Sequence, residues 1–477
     1  MTEQWLCIRI PQLPLEVFTR SGSDEQMLAV CDGTSRRSVL FCTVPAHRQG
    51  VCSGMPVAAA RALVHDLIVH PRDLRAENRA LHALAAWAYQ FSSQVSVYPP
   101  CAVLLEVQGS LKLFGGYKAL LKRIQQGIEE LGYRAQIAAA PTPLAAYSLA
   151  CCNHQQSIEG VVDLAAALAD LPLSVLDWTQ PLLDRLHGMG VRRLGEVLKL
   201  PRDGLARRFG PDKLLYLDRM LGRCADPQTL YKPPARFRRR LQLVAEVEQT
   251  DALLFVLQRL IMELCGWLQG QGGALQRFEI RLWHRCQQHT RLTIGLHEKS
   301  RAAEQFMVLV RERLERLELE QPVQEIELRA DQLLQLDAQS LDLFDTHARS
   351  NQVDLLDRLR ARLGSDAIRG LSAVAEHRPE YAWSYSEPGH SEQCSDDRQR
   401  PLWLLPVPRQ LRTDNNWPCL QGRLTLQQSR ERIESGWWDE RDIARDYFIA
   451  RSTSGACYWI YRELSGEQRW FLQGIFE

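Results

Sequence analysis

No stretch of about 18 uncharged apolar residues occurs anywhere in the chain, which excludes a bilayer-spanning helix. Fixed-period self-similarity is also missing, so solenoids and propellers drop out. Charge of one sign is not in excess. The 58 Lys and Arg nearly cancel the 57 Asp and Glu, leaving a net charge of +1, so any pull toward nucleic acid or membrane must come from a local patch. None of the 13 cysteines stands in a CxxC pair, and only Cys151 and Cys152 are adjacent. Zinc ribbons and disulfide scaffolds are therefore poorly supported, and the thiols read as reduced in a bacterial-type cytoplasm. The opening Met1-Thr2-Glu3-Gln4 lacks the basic region of a secretory signal.

What is present is an ordinary globular balance, 45% hydrophobic and 24% charged over 477 residues, enough for several domains of about 100–200 residues each. Strand patterns at Trp5–Ile10, Val39–Cys42, Val103–Val107 and Gln136–Ala140 alternate with helical spacing at Val57–Val64, Leu74–Gln90 and Tyr117–Leu131; that is an α/β arrangement. Leu171 to Arg223 reads as short helices broken by Gly188-Met189-Gly190 and Pro201. From Arg238 to Leu328 the order is strand, helix, strand, strand, helix, strand, a self-contained α+β unit. Seven of the 12 tryptophans lie from Trp383 onward, where Tyr447–Ile449, Cys457–Tyr461 and Trp470–Leu472 suggest a three-stranded aromatic meander.

This order resembles the Y-family translesion DNA polymerases, and particular residues carry the resemblance. Gly50-Val51-Cys52-Ser53-Gly54-Met55-Pro56 is similar to a fingers motif of that family, Leu105-Glu106-Val107 with Leu113-Phe114-Gly115 to its palm, and Leu186 to Val197 to its thumb. The resemblance implies a multidomain right hand, α/β and α+β, with an aromatic-rich C-terminal region and small β-meander added. It divides the chain into palm and fingers (1–165, fingers about 18–80), helical thumb (166–232), little finger (233–331), a linker with a clamp motif (332–350) and a C-terminal partner-binding region (351–477).

A polymerase of this kind holds two divalent ions about 3.5–4 Å apart, and Mg²⁺ takes carboxylates as its protein ligands. No carboxylate lies between Glu3 and Glu16, so Arg9 stands in the first ligand stretch; Cys101 and Ala102 fall where the family has Asp-Glu. Glu106 remains, at a position that is not a metal ligand in the family, so with these carboxylates missing no metal or other cofactor is expected. The triphosphate contacts depart as well. The family's Tyr-x-Ala-Arg falls at Val44 to His47, and no lysine lies between Lys122 and Lys199. This profile resembles the ImuB group, the branch of the family that serves bacterial mutagenesis cassettes without polymerising. Arg400–Leu405, Glu431–Asp439, Ala444–Tyr447 and Trp470–Phe476 are similar to that group in particular.

Three surfaces are candidates for binding. Gln339-Ser340-Leu341-Asp342-Leu343-Phe344 is similar to bacterial β sliding clamp ligands, with Gln339, Leu341, Asp342, Leu343 and Phe344 as contacts; the alternative is the exposed end of an amphipathic helix. Arg236, Arg238 and Arg240 alternate, so on a strand they share one face and can follow a phosphate backbone; a plain solvated face is the alternative. Gly188 and Gly190 can offer backbone N–H groups to a phosphate. Trp437, Trp438, Trp459, Trp470 and Phe471 are candidate partner contacts, or else the core of a small β domain.

The expectation is a non-catalytic adaptor in damage-induced (SOS) translesion synthesis. It binds the clamp and primer-template DNA without sequence preference. The resemblance adds a RecA-like accessory protein of the ImuA type and an error-prone replicative-type polymerase as partners. An active polymerase with displaced ligands and a non-specific DNA-binding protein are the alternatives.

Overall fold

The computed structural model describes residues 3–22, 26–33, 37–152, 158, 163–335, 355–360, 362–364, 367–386, 399–439 and 441–476. The chain falls into two compact units, Met1–Arg362 and Leu363–Glu477. Residues 355–360 are helical and belong to the first unit, where Asp357 accepts a hydrogen bond from the His297 amide at 2.6 Å. The boundary therefore falls later than the expected start of the C-terminal region at residue 351.

The first unit begins with β1 (Trp5–Arg9) and α1 (Leu13–Thr19). The fingers follow as β2 (Leu28–Cys31), β3 (Val39–Cys42), α2 (Val44–Arg48), α3 (Val57–Leu63) and β4 (Ile68–Pro71). The palm resumes with α4 (Leu74–Ala88), β5 (Val95–Tyr98), β6 (Ala102–Glu106), α5 (Tyr117–Glu130), β7 (Gln136–Ala140) and α6 (Pro143–Cys151). Asp73 starts α4 by accepting from the Arg75 and Ala76 amides, and Thr142 starts α6 with Pro143 at its first position.

The palm sheet runs β5-β6-β1-β7, antiparallel throughout. Strand alternation divides its apolar residues into two cores. Leu6, Ile8, Val103 and Leu105 pack under α4 and α5. Trp5, Cys7, Ala102 and Leu104 face α6 and the thumb. Burial on both faces explains why these strands are apolar at nearly every position. The fingers form a small sheet of order β3-β2-β4.

The thumb is α7 (Leu164–Leu168), α8 (Gln180–Gly188), α9 (Leu194–Leu198), α10 (Arg202–Phe209) and α11 (Pro211–Met220). The little finger is β8 (Phe237–Val247), α12 (Thr250–Gly270), β9 (Gly273–His284), β10 (His289–Ser300), α13 (Ala303–Leu314) and β11 (Val323–Ala330), with the short β12 (Leu334–Gln335) beside β9. Its sheet order is β10-β9-β11-β8, and both helices pack on one face.

The second unit holds β13 (Gly370–Ala373), β14 (Trp383–Ser386), β15 (Trp403–Gln410), β16 (Arg412–Asp414), β17 (Trp417–Cys419), β18 (Thr425–Ser435), β19 (Ile443–Arg451), β20 (Cys457–Glu463) and β21 (Trp470–Ile475). The expected meander, β19-β20-β21, is the middle of a five-stranded sheet of order β15-β21-β20-β19-β18. The outer strands escape sequence reading because Pro406 and Pro408 interrupt β15 and β18 is largely polar. No described helix is long and apolar enough to cross a membrane.

Candidate nucleic-acid interface and palm site

The ends of β1 and β6 lie side by side, with Arg9 opposite Ala102 and the Ile10 amide donating to the Cys101 carbonyl at 2.7 Å. The two stretches that would each contribute metal ligands are thus brought together, but the groups present do not suit a divalent ion. Arg9 places a guanidinium there, and its Nη1 donates to Gln136 Oε1 at 2.6 Å. Burial pushes the Cys101 and Cys151 thiols up, against the pull of Arg9. It holds Cys7 well above the ordinary thiol range. Protonated thiols, a methyl group and a guanidinium offer a hard cation no anionic oxygen.

Two carboxylates of the palm, Glu77 and Glu106, are committed elsewhere. Glu77 is held by Arg72 in a bidentate pair of 2.7 and 2.8 Å. Glu106 accepts from the Gln4 and Gln108 amides at 3.1 and 3.0 Å, a structural role that accounts for a carboxylate there. Among the described residues no cluster of three or more His, Cys, Asp or Glu is placed to hold a metal ion. In α2, His47 Nδ1 lies 3.2 Å from the Val51 carbonyl, tied back to its own loop.

On the little finger, Arg238 and Arg240 are exposed on β8 while Phe237 and Leu243 are buried, as the alternation requires. Arg236 is exposed and lies just before the strand. Register extends this face across the sheet. One row reads Arg240, Glu327, Arg281, Arg291; the next reads Arg238, Arg329, Glu279, Thr293; a third reads Gln242, Glu325, Trp283, His289.

These rows carry five arginines against three glutamates. Arg238 and Arg329 both pair with Glu327, Arg240 pairs with Glu325 and stacks 4.4 Å over Trp283, and Arg281 and Arg291 pair with Glu279. Burial pushes Glu327 up, yet Arg329 and Arg238 hold it below the usual carboxylate range. The Glu327 side chain is 0% exposed whereas that of Arg238 is 63% exposed, and that of Arg291 57%. Glu327 thus lies beneath exposed guanidinium tips, whereas Glu279 and Glu325 reach the surface beside the more covered Arg281 and Arg329; with five arginines to three glutamates the face carries a net positive charge. A groove of about 1040 Å³ continues from it between β8 and α4, lined by Arg238, Arg240, Arg75, Arg79, Phe18 and His70.

The thumb turn does not behave as expected. The amides of Met189, Gly190 and Val191 donate back to Arg185, His187 and Leu186 carbonyls, closing the C-terminus of α8. Gly190, at φ +83°, serves that closure. The Arg192 and Arg193 amides are taken by Glu196 Oε2 at 2.6 and 3.1 Å. Gly188 and Gly190 therefore mark a helix stop and present no cluster of free N–H groups to a phosphate.

The tail candidates separate. Trp459 and Trp470 are 3% and 6% exposed and belong to the cores of the C-terminal sheet, so they are not surface contacts; strand alternation turns them inward. Phe471 is half-buried, stacked 5.1 Å from Tyr461. Trp437 and Trp438 are 82% and 57% exposed, edge to face at 5.5 Å. Their loop is fixed by the buried Arg378, whose Nη1 donates to Asp439 at 2.8–2.9 Å and whose Nη2 donates to Glu376 at 2.8 Å. Sequence reading missed the exposed Leu402, Trp403 and Val407 on and beside β15; three large apolar residues around two prolines were the available signal. The clamp-like residues Gln339, Leu341, Asp342, Leu343 and Phe344 lie outside the described residues.

A family model described as the impB/mucB/samB family matches residues 20–150. Protein ImuB of Caulobacter vibrioides (strain NA1000 / CB15N) is 27% identical over 457 residues, covering 90% of this chain and 100% of that one. The chain is similar to that protein along nearly all of both lengths. DNA polymerase IV of Aeromonas hydrophila subsp. hydrophila is 26% identical over 248 residues, 50% of this chain and 70% of its own. Among solved structures, a Y-family DNA polymerase chimera Dbh-Dpo4(243-245)-Dbh aligns over 70% of this chain and 100% of its own, at 18% identity and TM-score 0.39. DinB from Sulfolobus solfataricus aligns over the same shares at 17% identity and TM-score 0.38. The chain, similar to Protein ImuB over most of its length, is mixed α/β with a β-rich C-terminal region.

Proposed function

We propose that the chain is a non-catalytic adaptor of translesion synthesis during damage-induced mutagenesis. The observation that carries this reading is the palm site. A guanidinium, a protonated thiol and a methyl group converge where a metal-dependent polymerase needs carboxylates. In this role the little finger's arginine rows hold DNA through its phosphates, without sequence preference. Gln339–Phe344 engages the β sliding clamp. Trp437 and Trp438 dock an error-prone polymerase or a RecA-like accessory protein of the ImuA type. Joined binding sites raise the local concentration of the tethered polymerase at the primer end to roughly millimolar.

The test runs clamp binding and Mg²⁺-dependent primer extension on one preparation of the full chain. The expected result is no extension, with clamp binding that disappears in Leu343→Ala/Phe344→Ala. Extension by the wild type would overturn the non-catalytic reading, and clamp binding unchanged in the double variant would overturn the clamp assignment.

A further inference from the structure

Trp87, at the end of α4, is enclosed by glycines from two other helices. A Cβ at Gly127 of α5 would lie 2.4 Å from its ring, and a Cβ at Gly266 of α12 would lie 2.2 Å from it. One turn on, a Cβ at Gly270 would meet the Gln90 and Tyr89 backbone at 3.1 Å. Gly127 belongs to the palm, but Gly266 and Gly270 belong to the little finger, and the atoms they make room for are all at the end of the palm helix. Ala86 of α4 is likewise part of the little finger's apolar core. A loosely placed domain has no need of such a fit, since Gly inside a helix is destabilising relative to Ala.

Polar groups close the same seam. Arg20, just after α1, is 6% exposed and donates to Glu263 of α12 at 2.6 Å, to the Tyr133 hydroxyl at 2.6 Å and to the Leu131 carbonyl at 2.8 Å. Glu263, 4% exposed, also lies 3.4 Å from Arg239 of β8. Arg259 of α12 donates in return to the Arg20 carbonyl. A buried carboxylate between two arginines is costly to separate, because parting it from either leaves an uncompensated charge.

We infer that the little finger is welded to the palm through Trp87 and Glu263. Palm and little finger then move as one body, and the arginine-bearing sheet is held at a set angle to the palm with or without DNA. Glu263 is the positioning residue. It touches both the chain leaving α1 and Arg239, whose neighbours Arg238 and Arg240 stand on the outward face. The statement about DNA rests on the proposed use of that face; the weld itself does not.

Gly266→Ala in the full chain decides between a weld and a hinge by sign. With the weld, the new methyl meets Trp87 and the melting temperature of the first unit falls; Gly266→Ala/Trp87→Leu then melts above the sum of the two single shifts. With a free little finger, position 266 faces solvent and alanine raises the melting temperature, which would overturn the inference. Hydrogen exchange on the wild type is the second arm, for the case that the variant does not fold. Amides of α4 and α12 should be protected alike in the free protein and with saturating duplex DNA. Exposure of either helix on duplex binding, or its lack of protection in the free protein, sinks the proposal. If no duplex binds at all, the DNA reading fails while the free-protein exchange and the Gly266 variant still decide the weld.

Discussion

Glu16 sits in the first turn of α1, 5% exposed, with Oε2 accepting from the Arg134 amide at 3.3 Å and Oε1 buried without a hydrogen-bond partner. Burial raises its pKa from the ordinary 4.5 to about 7, against the opposing pull of Arg134 and Arg20. A carboxyl raised in the folded state binds its proton more tightly there than in the unfolded chain. Its contribution is therefore complete below the unfolded value and is lost as pH rises through the folded one. Between about pH 5 and 8 the wild type should lose stability from this group, and Glu16→Gln should flatten that dependence, read by urea unfolding at several pH values. The tryptophans allow a second residue-scale comparison. Trp459→Ala should cost about 3–5 kcal/mol in unfolding of the second unit. Trp437→Ala/Trp438→Ala should stay within about 0.5 kcal/mol of wild type and weaken capture of the polymerase or accessory partner. Composition could not separate these residues. All are tryptophans in an aromatic tail, and only the sheet's alternation and the Arg378-bound loop decide which way each one points.

At the scale of elements, the alternation of β8 was legible because side chains on a strand have period two. The rest of the face was not. Glu325 and Glu327 reach Arg240 and Arg238 through a register set by strands far apart in sequence, with β11 between β8 and β9. Arg238→Ala/Arg291→Ala should lower duplex affinity similarly for unrelated sequences and reduce the salt slope by about two, one for each arginine withdrawn from a phosphate. A slope equal to wild type would remove this face from the DNA reading. The thumb turn shows the opposite case. Its Gly188-Met189-Gly190 was visible in the sequence, but the partners of its amides were not, and the helix C-terminus takes them. The residue types at the ends of β1 and β6 were legible because they are a matter of identity; that Arg9, Cys101 and Ala102 lie side by side became apparent only when β1 and β6 were seen paired.

The whole molecule is two units with separate cores. The second closes on its own sheet, with Leu424, Ala450, Ile460 and Leu472 in one cluster and Ile433, Tyr447, Trp459 and Tyr461 in another. Residues 363–477 expressed alone should give a cooperative thermal transition, and calorimetry of the full chain should resolve two transitions rather than one. The strand-and-helix order of the first unit was readable nearly throughout, whereas the unit boundary was not, because residues 355–360 join the first unit through a buried aspartate that no local pattern announces. The enclosure of Trp87 has a consequence at this scale for how such chains can vary. Positions 87, 127 and 266 share one volume, so a larger side chain at 266 or 127 requires a smaller one at 87. Relatives that keep this seam should change the three positions together, and those without it should let them drift apart. The joint between the domains should therefore leave its trace as a correlation among distant positions, where no motif search would find it.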